Sequence, residues 1–186
     1  MSFATIIVPA APVRRKPRHQ SEMTNQLLFG ESVEILKEKG KLWMQVKSLH
    51  DGYEGWLTRT LLVETTREAA YTPLTMVTSG LLNTIETGDQ TMNVPVGSSL
   101  PLIWEGRGQI GNKEYLFRGE QVNRKEQGFS EDRVRQLSFR WLNAPYLWGG
   151  RTIFGVDCSG FVQVNYKMMG IDLPRDAWQQ AQSGKL

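Results

Sequence analysis

Residues 145–161 read PYLWGGRTIFGVDCSGF and hold Cys158, the only cysteine of the 186-residue chain. A glycine-rich loop runs here into a segment where Phe161, Val164 and Met168 recur at helical spacing, with Gly170 as a stop. A helix is therefore predicted to begin at the cysteine. The first turn of a helix carries unpaired backbone amides, whose partial positive charge favours an anion and can receive an oxyanion. Gly149, Gly150, Gly155 and Gly160 allow tight turns and close approach of a substrate backbone. These residues alone leave three roles open for Cys158: a nucleophile, a small buried side chain, or a metal ligand.

Helical signals flank this stretch. SEDRVRQLSFRWLN offers Ser130 as an N-cap and Glu131 and Asp132 for the first turn. Val134, Leu137, Trp141 and Leu142 then share one face, and Pro145 is expected to end the helix. Downstream, PRDAWQQAQ reads as a further helix, with Asp176 as N-cap and Gln179 at the capping-box position.

The chain before Lys125 has a different character. ATIIV, ESVEIL, LWMQVKS and YEGWL are short, partly alternating runs separated by turns at Gly30, Gly40 and Asp51-Gly52, and LPLIWEG and KEYLFRGE continue the pattern. FGESVEIL and VGSSLPLI echo each other, with Gly30 leading to Val33 and Ile35 as Gly97 leads to Leu100 and Leu102. A repeated glycine turn feeding a strand predicts two small barrels of about sixty residues each.

Composition narrows the classes. A net charge of +3 with the acids dispersed does not argue for nucleic acid, and the prolines in RRKPRH (Arg14 to His19) make that basic cluster read as a solvated loop. One cysteine excludes an intrachain disulfide and a multi-cysteine metal site, so no metal or cofactor is expected. No run approaches the roughly 18 apolar residues of a membrane span. The opening MSFATIIVPAAPVRRK lacks the charge-first order of a secretory signal, which sets a cytoplasmic expectation. The oligomeric state is not legible.

YLWGG, DCSGF and GIDLPRDAWQQ together closely resemble the NlpC-type papain-like cysteine peptidases of bacterial cell-wall metabolism, over about the last fifty residues. The front, through VPAAPVRRKPRHQSEMTNQLLFGESVEIL and DGYEGWL, resembles the paired bacterial SH3-like domains of muropeptide-trimming members. The resemblance implies an α+β chain: two SH3-like barrels at 1–64 and 65–125, then the N-terminal helical part of a papain-like domain at 126–186. It implies cleavage of the bond between γ-D-glutamate and a diamino acid in peptidoglycan peptides that carry a free N-terminal L-alanine. By the same resemblance Cys158 is the nucleophile and Tyr146 lies on the oxyanion side. Asp157 and Ser159 line the site, Trp148 is a pocket wall, and Glu22, Tyr53 and Asp176 hold the substrate's amine.

One part of the family pattern is missing. Such a peptidase needs a histidine downstream of the cysteine to take the thiol proton. Only 28 residues follow Cys158 and none is histidine; His19 and His50 lie far upstream. The expectation is an inactive fragment whose helices lack the sheet they would pack on. The alternative is a non-catalytic module that binds peptidoglycan peptides and carries a peptidase remnant. An acyltransferase of the same superfamily would use the same cysteine, but the SH3-like pair and the PRDA motif weigh against it.

Overall fold

The computed structural model describes residues 2–183. Seven strands open the chain: β1 (Ser2–Ile6), β2 (Ala10–Arg14), β3 (Met23–Leu28), β4 (Ser32–Lys39), β5 (Trp43–Ser48), β6 (Glu54–Thr58) and β7 (Leu62–Thr65). They form one antiparallel sheet in the order β3-β2-β6-β5-β4-β1-β7. Alternation puts Ala4, Ile6, Val13, Leu27, Val33, Met44, Val46 and Leu57 inside a first core. A short helix, α1 (Arg67–Tyr71), capped by Thr66, leads to β8 (Met76–Thr78).

The second β unit is less closed. β9 (Leu82–Thr87), β10 (Gln90–Pro95), β11 (Arg107–Ile110) and β12 (Lys113–Arg118) form a four-stranded sheet, while β13 (Gln121–Asn123) pairs separately with β8. Its core of Ile85, Val94, Leu100, Ile110, Tyr115 and Phe117 also takes in Phe29 from the first unit.

The sequence echo is a structural repeat. Gly30 N donates to Ile6 O at 2.9 Å while Ile6 N donates to Glu31 O at 2.9 Å; Gly97 N donates to Thr78 O at 3.0 Å while Thr78 N donates to Ser98 O at 2.9 Å. Both glycines have positive φ, +78° and +81°. The two turns also meet, for Ser99 N donates to Phe29 O at 2.9 Å. A Cβ on Gly30 would lie 2.1 Å from Ser99 O, so only glycine fits.

The helical third follows. α2 (Glu131–Phe139) starts at Ser130, whose hydroxyl accepts from Arg133 N. It ends well before Pro145, which corrects the expected length. The chain tightens into three-residue turns after Ser138, and Asn143 adopts φ +69°. That rotates Leu142 off the face and leaves it 66% exposed, while Leu137 and Trp141 stay buried. After the two-residue strands β14 (Arg151–Thr152) and β15 (Gly155–Val156) come α3 (Cys158–Met168) and α4 (Ala177–Ser183).

The expectation that these helices lack a packing partner is also corrected. Leu137, Trp141, Val164, Met168 and Met169 are buried together with Leu28 of the first β unit and Val77 and Val96 of the second. The two β units themselves cover the inner faces of α2 and α3. No described helix is long and apolar enough to cross a membrane.

Candidate active site

Cys158 sits where the sequence puts it, at the first residue of α3, and it is exposed. Asp157 is the N-cap: its Oδ1 accepts from Gly160 N at 2.7 Å, and its carbonyl accepts from Phe161 N at 2.9 Å. The amides of Cys158 and Ser159, the first two of the helix, have no preceding turn to bond to, which makes them donors for an oxyanion.

The loop before the helix is fixed from both sides. Leu147 N donates to Val156 O at 3.1 Å and Val156 N to Pro145 O at 3.0 Å, closing 145–156 on itself. Gly149 N donates to Asp157 Oδ2 at 2.8 Å. Gly149 has φ +77°, and a Cβ there would lie 2.8 Å from Met23 O, so β3 of the first unit lies directly against the loop. Gln26 adds two bonds: its Oε1 accepts from Arg151 N at 2.8 Å and its carbonyl from Arg151 Nη1 at 2.9 Å.

Asp157 and Ser159, expected to line the site, face inward instead and are 6% exposed. Arg175 takes both. Its Nη2 donates to Asp157 Oδ2 at 2.6 Å, its Nη1 to Ser159 Oγ at 2.7 Å, and its Nε to Asn25 Oδ1 at 2.8 Å. A buried carboxylate needs such a partner, and here the partner ties the start of α3 to the first β unit. Arg175 stands inside the PRDA motif, but nothing in its spacing shows that it points inward.

Glu22 and Trp148, distant in sequence, are brought together. Trp148 Nε1 donates to Glu22 Oε1 at 2.9 Å, and Arg15 pairs with Glu22 Oε2 at 3.1 Å. Tyr53 lies in the Asp51-Gly52 turn, where its amide donates to Asp51 Oδ1 at 3.0 Å. Asp51 Oδ2 accepts from Gln163 Nε2 of α3 at 2.9 Å, so that turn also rests on the helix of Cys158. The carbonyl of Asp176 accepts from Gln179 N and Gln180 N at 3.0 Å each, and Gln180 Nε2 donates to Ser159 O at 3.0 Å. Tyr146, Leu147, Trp148, Phe154 and Trp178 are exposed around this loop.

Neither histidine is at the thiol. His19 packs on Trp43 with ring centroids 5.0 Å apart. His50 Nδ1 lies 3.2 Å from Asp172 Oδ1, and burial together with repulsion from Lys167 lowers the imidazole pKa to about 4. The sequence also gave no hint of a buried cluster behind the loop. Glu31 is bridged by Arg151 at 2.8 and 2.9 Å and by Lys167 at 2.8 Å, and all three are at most 1% exposed. Burial alone would raise the Glu31 carboxyl, but the attraction of Arg151 and Lys167 holds it well below the usual carboxylate range.

A loop of this shape feeding an exposed cysteine at a helix start, preceded by small β units, is the architecture of an NlpC/P60 fold behind an SH3-like β domain. Residues 13–62 match the bacterial dipeptidyl-peptidase Sh3 domain and residues 143–186 match the NlpC/P60 family. The chain is an NlpC/P60 family member with an N-terminal SH3-like domain. It is 31% identical over 173 residues to a gamma-D-glutamyl-L-lysine dipeptidyl-peptidase of Bacillus subtilis (strain 168), covering 86% of this chain and 58% of that protein. The enzyme of the same name from Bacillus cereus (strain ATCC 10987 / NRS 248) is 27% identical over 187 residues, covering 88% and 56%. The chain thus spans less than two thirds of either relative. The crystal structure of an NlpC/P60 family protein from Bacillus cereus ATCC 10987 superposes with a TM-score of 0.85 at 21% identity, covering 98% of this chain and 77% of that one, which shows the fold.

Proposed function

We propose that this chain forms the substrate-binding and nucleophile-bearing part of a cysteine endopeptidase. The enzyme cleaves the γ-D-glutamyl–diamino acid bond of peptidoglycan peptides with a free N-terminal L-alanine. The observation that carries the reading is the bond from Trp148 to Glu22 at 2.9 Å. It sets a carboxylate of the first β unit against the wall of the loop that leads to Cys158. The curated relatives, named for a gamma-D-glutamyl-L-lysine activity, support the same bond class.

In this mechanism the sulfur of Cys158 attacks the γ-carbonyl carbon, and the amides of Cys158 and Ser159, with Tyr146 beside them, receive the oxyanion. The C–N bond breaks, the diamino acid leaves with a proton, and water then hydrolyses the thioester. Glu22, Tyr53 and Asp176 hold the alanine ammonium, while Asp157 and Ser159 hold the helix start through Arg175. The thiol proton needs an acceptor that the described residues do not place there. We therefore expect binding, and no turnover, from these 186 residues alone. The proposed setting is cytoplasmic recycling of already trimmed peptides.

Calorimetric titration with L-Ala-γ-D-Glu and its N-acetyl form tests this. The free peptide is expected to bind at least tenfold more tightly, because acetylation removes the ammonium that Glu22 and Asp176 would hold. Glu22→Gln is expected to remove most of that difference. Equal affinities for the two peptides would sink the amine subsite. Release of diamino acid by these 186 residues, lost in Cys158→Ala, would instead mean that a proton acceptor is present and the chain is a complete catalyst.

A further inference from the structure

A cavity of about 200 Å³ lies where the first β unit, the α1 segment, the second β unit and the helical third meet. Its wall includes the charged groups of Glu31, Arg124, Lys167 and Asp172, with His50 and Ser99 beside them. It shares no residue with the thiol site. Lys167 is nine residues along α3 from Cys158, about 14 Å at the helical rise.

The unpartnered groups of the wall are mainly donors; His50 Nε2, an acceptor in the neutral ring, is the exception among the described residues. Both oxygens of Glu31 are occupied: Oε2 accepts from Leu28 N and Arg151 Nη1, and Oε1 from Arg151 Nη2 and Lys167 Nζ. Arg151 already matches that carboxylate with two parallel bonds, so Lys167 is the surplus cation of the cluster. Its ammonium has three N–H donors and meets two acceptors, Glu31 Oε1 and Ser99 Oγ, the latter at 3.2 Å. Burial depresses the Lys167 pKa, and repulsion from Arg151 and Arg124 acts the same way.

Arg124 uses one nitrogen on Asp172, which is half exposed at 51%, while the Arg124 side chain is 10% exposed. His50 is neutral near pH 7, so it adds no charge of either sign. Asp51, which also attracts Arg151, is held by Gln163 and is not on the wall. A buried cation with a free donor, beside a guanidinium with donors to spare, is the environment that an oxyanion completes.

We propose that this cavity binds one small anion, a carboxylate or a phosphate, between Lys167 and Arg124. The site is separate from the peptide groove, and because it touches all parts of the fold, its occupant would tie them together. A carboxylate and inorganic phosphate share the recognising chemistry, and two probes separate them.

The experiment titrates the chain at pH 7.5 with sodium acetate and with sodium phosphate, against sodium chloride at equal ionic strength. It follows the heat of binding and the thermal midpoint. A saturable, one-per-chain response is expected to at least one probe: acetate alone identifies a carboxylate site, phosphate alone a phosphate site. Arg124→Gln is expected to weaken binding tenfold or more. Asp172→Asn, which takes the charge from the wall carboxylate that pairs with Arg124 and His50, is expected to tighten it. No saturable response to either probe would overturn the proposal, as would affinities unchanged in both variants, which is what a non-specific surface effect would give.

Discussion

The two β units use the same glycine turn and put different residues in it. In the first, the residue after Gly30 is Glu31, whose carboxylate reaches Arg151 and Lys167 of the helical third. In the second, the residue after Gly97 is Ser98, fully buried, with a hydroxyl that has no partner among the described residues. The contrast extends beyond the turn. Glu22, Asn25, Gln26, Glu31 and Asp51 all bond from the first unit to the loop and helices around Cys158. From the second unit, Ser99 bonds Lys167 and Arg124 pairs with Asp172, while Val77 and Val96 pack on the helices through apolar surface. A repeated scaffold thus divides its work unevenly, with most of the polar positioning of the site on the first copy and apolar packing from both.

The contrast is most easily broken at Glu31. Glu31→Gln keeps the shape and removes the charge, leaving Arg151 and Lys167 buried without a counter-ion. Breaking a buried pair from one side costs about 3–5 kcal/mol. Denaturant unfolding is expected to show a loss of this size. A loss below about 1 kcal/mol would mean that water reaches the cluster, and the division of labour would fail at its centre.

Much of the architecture could be read from the sequence because its signals are local. The Ser130 cap, the helix starting at Cys158, the stop at Gly170 and the repeated glycine turn depend on neighbours a few residues apart. What escaped depends on pairing across the chain. Glu31, Arg151, Lys167 and Arg175 are charged, and a charged residue in a sequence reads as surface. Glu31 lies 120 residues from Arg151 and 136 from Lys167. The covering of α2 and α3 by the β units was illegible for the same reason: Leu28, Val77 and Val96 look like ordinary strand residues until the docking is known. At the site, the placement of Cys158 at a helix start was legible, but the bond from Trp148 to Glu22 and the hold of Arg175 on Asp157 and Ser159 were not.

Acid offers a milder way to sharpen the comparison. His50, on the first unit, has its pKa lowered from 6.5 to about 4 by burial and by Lys167. The unfolded chain therefore takes up that proton first. Stability is expected to fall as the pH drops from about 6.5 to 4, by on the order of 3 kcal/mol, and then to level for this group. Glu31, whose pKa is lowered, gives stability that is present above about pH 4.5 and lost as the pH falls further. His50→Asn is expected to flatten the upper window and leave the lower one. A slope between pH 6.5 and 4 that survives the substitution would place the titrating group elsewhere.

The smallest expected effect lies in the second unit and completes the pair. Ser98→Ala removes a buried hydroxyl that donates to nothing and accepts nothing among the described residues. Its backbone is what the turn uses: Ser98 N donates to Pro95 O and also meets Thr78 Oγ1 at 3.1 Å, and Ser98 O accepts from Thr78 N. All three contacts survive in alanine. Burying an unpartnered hydroxyl costs about 1–3 kcal/mol against a satisfied one, so its removal is expected to leave stability unchanged or raise it by up to about 1 kcal/mol. Placed beside Glu31→Gln, the same turn position would then carry opposite signs in the two copies. A loss above about 1 kcal/mol on Ser98→Ala, in matched urea titrations, would show that this hydroxyl has a partner after all. The second unit would then also be holding its neighbours through polar contacts at that turn.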